Sequence, residues 1–271
     1  MNTKKLRLAL VGKDVRKSKS EAIHKFILGK MGVECEYANF SIPQAEFDSV
    51  MRTLMGDFDG FNVTIPYKRD VMGYLNEVVG DALDFGAVNT VLTASGSGYN
   101  TDGAGFLLML QAANIEVKNK KILVLGGGGA GRSTAAALKK EGAKVAMYQR
   151  TKAKLLETCA EIGVTPAESA EVGGYDILIN CTGVGMHESV GLSPVTAKAF
   201  AGAEAAIDLI YYPEKSEFLR LANAQGLRIL NGEAMLFYQA YFADCLYLGI
   251  VPNRAQATAF YAEYKTQKKQ P

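Results

Sequence analysis

Residues 121–154, KILVLGGGGAGRSTAAALKKEGAKVAMYQRTKAK, constrain the fold more than any other part of the chain. Residues 122–125 are uniformly apolar, which suits a parallel strand covered on both faces better than a strand with one wet side. Five glycines follow among six residues, at Gly126, Gly127, Gly128, Gly129 and Gly131, and then an Ala/Leu-rich segment of good helix propensity. Gly142 predicts the end of that helix, and residues 144–148 predict a second strand. Strand, glycine turn, helix and strand make one βαβ unit. Within it Gly126, Gly128 and Gly131 fit G-x-G-x-x-G. The first glycine allows the tight turn, the second lets backbone approach a pyrophosphate, and the third packs helix on strand. The helix N-terminus then offers free N–H groups and a positive dipole end to phosphates. The alternative is a glycine-rich turn with no ligand.

The end of the second strand bears on which dinucleotide is held. An NAD site usually carries Asp or Glu there, to bond the ribose 2′-hydroxyl. Here the residues are Gln149, Arg150 and Thr151, with Lys152 and Lys154 beyond. A guanidinium and a hydroxyl suit a 2′-phosphate that a carboxylate would repel, so Arg150 points to NADP. Lys152 reads as part of a solvated helix start.

The chain has 271 residues, enough for one large domain or two modest ones. Its 48% hydrophobic and 21% charged residues are ordinary for a globular protein. A net charge of +2 gives no electrostatic case for nucleic acid or an anionic membrane. The apolar run near the N-terminus is too short for a signal peptide, and no stretch approaches a membrane span. Cys35, Cys159, Cys181 and Cys245 are scattered without C-x-x-C, and His24 and His187 are the only histidines. Neither a metal site nor a disulfide framework is expected, and a reduced, cytoplasmic protein is.

From the N-terminus, residues 6–11 predict a strand and residues 21–31 a helix, with Ser20 as its cap. Ser18 and Ser20 lie where hydroxyls and helix N–H groups could hold an anion; capping alone would also explain them. Residues 35–40 predict a strand, 44–55 a helix, and 59–66 a third strand stopped by Pro66. Lys68 follows at the carboxyl end of that strand, where open α/β sheets place their sites, although a surface lysine reads the same way. Residues 86–92 and 93–99 predict a strand and a hairpin. Asp102 opens a helix, where an N-terminal cap is the plain reading. After the glycine unit, residues 176–180, 205–210 and 227–230 predict further strands, 217–225 a helix, and the region after Gly232 a helical end. The tail from Tyr264 is polar and is expected to fray.

These segments resemble the shikimate dehydrogenase family from end to end. Ser18-Lys19-Ser20 resembles S-x-S, residues 62–68 (NVTIPYK) N-V-T-x-P-x-K, residues 86–90 G-A-V-N-T, and residues 100–103 N-T-D-G. Residues 126–132 are similar to the cofactor loop G-x-G-G-A-x-R, 149–151 to N-R-T, 180–182 to N-A-T, 208–213 to D-x-x-Y-x-P, and 235–239 to M-L-x-x-Q. The resemblance implies an α/β fold of two α/β domains with a cleft between them. It implies a substrate-binding catalytic domain over residues 1–101, a Rossmann-type NADP-binding domain over 102–235, and a helical segment over 236–271 that returns to the first. It implies reversible NADPH-dependent reduction of 3-dehydroshikimate to shikimate, on the way to chorismate and aromatic amino acids. Lys68 and Asp102 would be the catalytic pair. Ser18, Ser20 and Tyr211 would hold the substrate carboxylate, and Thr64, Asn89 and Gln239 the ring hydroxyls. Gly126, Gly127, Gly128, Gly129, Ala130, Gln149, Arg150, Thr151, Lys154, Leu209 and Gly232 would surround NADP. The expected partner is the small acid alone, with no nucleic acid, membrane or metal, in a monomer or homodimer.

Lysine's ordinary pKa is about 10.4, so a Lys68 acting as base near neutrality needs a depressed value. Burial would lower it and Asp102 would raise it. Departures from the family pattern are Lys17 for His, Glu21 for Pro, Gln149 for Asn, Cys181 for Ala and Lys154 for Arg. Lys17 and Glu21 border the serine pair, where shikimate and quinate are told apart. A quinate enzyme using NAD or NADP is one alternative, and a sensor that binds dinucleotide and acid without turnover is another. Retention of both serines favours shikimate, and the Lys68–Asp102 pair favours an enzyme.

Overall fold

The computed structural model describes residues 5–268. They divide into two compact units, one formed by residues up to Leu108 together with those from Leu236 onward, the other by Met109–Met235. The first break falls beyond the expected one after residue 101 because it lies inside a helix, whose first turns pack with the first unit.

In the first unit β1 (Lys5–Gly12) is followed by α1 (Ser20–Lys30), β2 (Glu34–Ser41), a single 3₁₀ turn, α2 (Phe47–Asp57) and β3 (Gly60–Val63). A short β4 (Glu77–Val78), α3 (Asp81–Phe85), and the hairpin of β5 (Thr90–Leu92) and β6 (Ser97–Tyr99) come next, then α4 (Asp102–Ala112). The sheet order is β2-β1-β3-β5-β6-β4. β2, β1 and β3 are parallel, whereas β5 is antiparallel to both β3 and β6. Both faces of β1 are covered, which is why it reads as a continuous apolar run. Ala9 and Val11 pack with Phe47, Met51 and Leu54 of α2, while Leu6, Leu8 and Leu10 pack with Leu28 of α1 and with Ala243 and Tyr247.

The second unit runs β7 (Lys121–Leu125), α5 (Gly129–Lys140), β8 (Lys144–Tyr148), α6 (Lys152–Ile162), β9 (Thr165–Pro166), β10 (Ile177–Asn180), β11 (Ala205–Asp208), α7 (Glu217–Ala224) and β12 (Arg228–Asn231). All six strands are parallel, in the order β12-β11-β10-β7-β8-β9. That is the doubly wound order of Rossmann folds, and its reversal point lies between β7 and β10. Its core sets Leu123, Leu125 and Leu178 against Phe200, Phe218 and Leu219.

The chain ends with α8 (Glu233–Leu248) and α9 (Arg254–Lys268). The expected frayed tail from Tyr264 is, through Lys268, part of α9. Tyr264 packs edge-on to Phe26 of α1, and Lys30 pairs with Glu263. The last three residues lie outside those described. The predicted strand over residues 59–66 is shorter, because after Val63 the chain turns through the cis Ile65-Pro66 bond. Lys68 therefore stands in a turn ahead of a 3₁₀ segment. No described helix is long and apolar enough to cross a membrane.

Candidate active site

Ser20 is the first residue of α1 rather than its cap, and Lys19 at the cap position gives no side-chain capping bond. The hydroxyl of Ser18 takes that place. It accepts from the Ser20 amide at 3.1 Å and donates to Ser20 Oγ at 3.0 Å, so the two hydroxyls form a pair at the helix start. Glu21 turns along the surface, where its carboxylate accepts from Lys25 at 2.7 Å and from Asn39 at 3.3 Å. Lys17 is exposed.

Lys68 is fixed from both sides. The buried Tyr67 donates its hydroxyl to the Ile42 carbonyl at 2.6 Å, and the Lys68 carbonyl accepts from the Val88 amide at 2.8 Å. The Lys68 ammonium donates to Asp102 Oδ2, with side-chain exposures of only 13% and 8%. Asp102 opens α4, but Asn100 takes the cap-like role, its Oδ1 accepting from the Asp102 amide at 3.0 Å. The carboxylate is thus left for side chains. Its Oδ1 accepts from Asn89 Nδ2 at 2.8 Å, and the same amide nitrogen lies 3.3 Å from Gln239 Oε1. Lys68, Asp102, Asn89 and Gln239 therefore form one network. Asn89 Oδ1 in turn accepts from the Thr101 amide and from Thr90 Oγ1, both at 2.9 Å. Thr64 is half-buried at the end of β3. A Cβ on Gly12 would lie 2.4 Å from its methyl, so only glycine leaves room there.

Three members of this network have no role in the sequence reading: Thr90, Thr101 and Asn62, whose Nδ2 lies 3.3 Å from Thr90 Oγ1. Each lies in or beside a recognised motif, but a motif does not say which of its polar atoms face each other. An ammonium held by a buried carboxylate, beside two amides that can each give and take hydrogen bonds, is suited to move a proton at a hydroxyl-bearing carbon.

In the second unit the glycine turn occupies the strand-order reversal. Gly126 has φ of +103°, and a Cβ there would come within about 3 Å of Thr182 and Cys181 at the end of β10. A Cβ on Gly131 would lie 2.0 Å from the Gly126 carbonyl oxygen. Gly128 is different: it is exposed and nothing lies within 4 Å of its would-be Cβ, so its backbone faces open space. α5 begins at Gly129 with no side-chain cap and no acid in its first turn, which leaves its N–H groups available to an anion. The Gln149 side chain lies over Gly127, and Arg150, Thr151 and Lys154 are exposed around the start of α6, whose first turn also lacks an acid. These residues fit a dinucleotide with a 2′-phosphate.

Gly232 is pressed against Leu209, where a Cβ would lie 2.1 Å from the carbonyl oxygen. That loop is anchored by the buried Asp208, which accepts from Asn180 Nδ2, the Ile210 amide and the Ser216 hydroxyl. Burial pushes the Asp208 carboxyl up to about 6, and those hydrogen bonds offset only part of the rise. Tyr211 follows, half-buried, in the second unit, and burial raises its phenol. Cys181 sits beneath the glycine turn with its thiol pushed up to about 12 by burial, which makes it a packing residue at neutral pH.

Residues 10–91 match the family model described as the shikimate dehydrogenase substrate binding domain. The chain is 37% identical over 250 residues to a shikimate dehydrogenase (NADP(+)) of Thermus thermophilus, covering 92% of this chain and 94% of the relative. It also aligns with a crystal structure of shikimate 5-dehydrogenase from Thermus thermophilus in complex with NADP(H) and shikimate. There the TM-score is 0.87 and the identity 36%, over 95% of this chain and 99% of that one. A chorismate mutase/shikimate 5-dehydrogenase fusion protein from Clostridium acetobutylicum gives a TM-score of 0.89 at 34% identity, over 98% and 99% of the two chains. This chain belongs to the shikimate dehydrogenase family.

Proposed function

We propose that this chain catalyses the reversible NADPH-dependent reduction of 3-dehydroshikimate to shikimate. The Lys68–Asp102 contact, fixed by Asn89, carries this reading. A protein that only senses the acid has no use for an ammonium held against a buried carboxylate beside the hydroxyl-reading amides.

NADPH held by the second unit would supply the hydride chemistry at the carbonyl carbon. As charge develops on the oxygen, the Lys68 ammonium gives it a proton, and in the reverse direction Lys68 takes the hydroxyl proton. Asp102 holds the ammonium in place and accepts from a neighbouring ring hydroxyl. Asn89, Gln239 and Thr64 read the remaining hydroxyls. The paired Ser18 and Ser20 hydroxyls hold the carboxylate. The first unit thus holds the acid. In the second, residues 126–130 take the pyrophosphate, Leu209 and Gly232 line the cofactor, and Gln149, Arg150, Thr151 and Lys154 surround the 2′-phosphate. The four free thiols suit a cytoplasmic setting.

The test is absorbance at the reduced-nicotinamide band with shikimate or quinate and NADP or NAD, in all four combinations. Rapid reduction confined to shikimate with NADP is the expected result. Activity mainly with quinate or NAD would move the substrate or cofactor assignment, and silence in all four would favour a sensor.

A further inference from the structure

His24 and Asp244 take no part in the proposed chemistry, yet both are fully buried and meet between two helices. His24 is on α1 and Asp244 on α8, and His24 Nδ1 lies 2.6 Å from Asp244 Oδ1 with both side chains at 0% exposure. Tyr37 of β2 stacks on the imidazole at a centroid distance of 5.0 Å and an interplanar angle of 19°, and its hydroxyl donates to Asn62 Oδ1 at 3.0 Å. The imidazole is thus held between a ring and a carboxylate. Around this bond the two helices meet through apolar groups. Phe26 packs edge-on to Phe237, and Leu28 shares a cluster with Ala243 and Tyr247.

Stability alone does not account for the pair. Taking two ionisable groups out of water is expensive, and an apolar pair of similar volume is often as stable or more so. Each partner also keeps one buried atom with no hydrogen-bond partner among the described residues, His24 Nε2 and Asp244 Oδ2, which adds to the cost. What a single polar bond supplies inside an apolar interface is register. Apolar side chains tolerate a slip, whereas a hydrogen bond holds over a narrow range of distance and angle. Both helices carry residues of the acid site. Ser20 stands four residues before His24 on α1, and Gln239 five residues before Asp244 on α8. Gln239 Oε1 lies 3.3 Å from Asn89 Nδ2, so α8 delivers it to the amide that meets Asp102. Ser20 and Gln239 are each within about 8 Å, along their own helix axes, of the residue that makes the bond.

We propose that the His24–Asp244 bond is a clamp that sets the spacing between Ser20 on α1 and Gln239 on α8, which makes His24 and Asp244 positioning residues for the acid. The proposal rests on the reading in which the serine pair receives the substrate carboxylate and Gln239 a ring hydroxyl. A rigid cyclic acid must meet both at once. If the helices drift, it gives up one contact or spends binding energy to draw them back. Lys68 and Asp102 lie on neither helix, so the proton-transfer contact keeps its place.

The experiment is calorimetric titration with shikimate and with NADP, together with kcat and thermal melting, on wild type and three variants. The double variant His24→Phe/Asp244→Leu replaces the bond by apolar groups and keeps a ring against Tyr37. Asp244→Ala removes the acceptor, and it decides the matter if the double variant does not fold. Asp244→Asn keeps an oxygen that can accept from the imidazole Nδ1–H. The first two are expected to bind shikimate ~10-fold more weakly, about 1.4 kcal/mol, with kcat changed less than about threefold and NADP affinity unchanged. Asp244→Asn should stay within about twofold of wild type, because the bond survives. Simple destabilisation lowers Tm and the active fraction, so it reduces apparent kcat and leaves shikimate affinity alone. That pattern would overturn the proposal, as would a loss of affinity in Asp244→Asn as large as in the other two. If wild type itself binds no shikimate, the functional reading falls and the clamp with it. Wild-type binding with indifferent variants removes the clamp alone.

Discussion

At the scale of single residues, charge and burial set the sharpest expectations. Removing the Lys68 ammonium leaves Asp102 buried beside an amide with no cation to balance it. Lys68→Ala is expected to lower kcat with shikimate by about 10²- to 10⁴-fold, the range of a lost acid–base group, with NADP affinity retained. Near-normal turnover would refute the proton-transfer role. Asp208 makes a pH prediction. Its carboxyl, ordinarily near 3.8, is held at about 6 in the fold by burial. Between those values the folded chain keeps a proton that the unfolded chain has released, so stability falls as pH rises through the window. Wild type should lose on the order of 2–3 kcal/mol more than Asp208→Asn between pH 4 and pH 6.5 in urea unfolding. Parallel stability curves would show that the carboxyl is not raised. Lys68, Asp102 and the serines were legible because each sits in a spaced motif. The exchange of duties at Ser18–Ser20 and Asn100–Asp102 was not, because either member of each pair could chemically take the helix-start N–H. The hydrogen bond from Tyr37 to Asn62 was invisible for another reason: the two lie 25 positions apart, and nothing local marks them.

At the scale of elements, β7, α5 and β8 could be read directly, since glycine is forced where Gly126 takes positive φ and where Gly131 meets a carbonyl. α3, β4 and β9 leave no such mark. Each spans at most five residues, too few to show a period. The end of α9 from Tyr264 reads as a frayed tail because its composition is polar, although Tyr264 reaches the ring of Phe237. The crossing of α4 and α8 supplies another test. Gly105 lies where a Cβ would be 2.6 Å from the Gln239 amide nitrogen, so α8 can approach only a glycine. By intrinsic propensity alanine would favour α4 by about 1 kcal/mol. The crossing predicts the opposite outcome: Gly105→Ala pushes Gln239 away from Asn89 and lowers kcat/KM for shikimate by about 10- to 100-fold. NADP affinity should be unchanged. A variant that is more stable and equally active would show that α8 tolerates the methyl group.

At the scale of the whole molecule, a sequence of alternating strands and helices indicated α/β architecture, and the glycine motif indicated which half would be doubly wound. The antiparallel β5–β6 addition to the first sheet was legible as a hairpin, but its pairing with β3 was not, because strand order depends on contacts far apart in sequence. Cofactor selection can be followed through global melting, because a ligand bound only by the folded state raises Tm by mass action. Wild type should gain more from NADP than from NAD at equal concentration, by about 3 kcal/mol if NADP binds ~100-fold more tightly. Arg150→Ala should bring the two shifts close together, and equal loss for both cofactors would remove the 2′-phosphate role.

The first unit is built from two ends of the chain, and this fixes an order of events during synthesis. A ribosome delivers β1, α1 and β3 early, but their partners come last. Asp244, which completes the His24 pair, is 220 residues downstream, and Tyr247, which packs against Gly60 and Leu8, is later still. The second unit is continuous from Met109 to Met235 and has every strand of its sheet before α8 is made. A nascent chain that has reached residue 235 can already hold a finished nucleotide fold, while the acid site still waits for Gln239. The part of the protein translated first is therefore the part whose core is completed last, and through that interval its apolar strands lack the cover that α8 gives them.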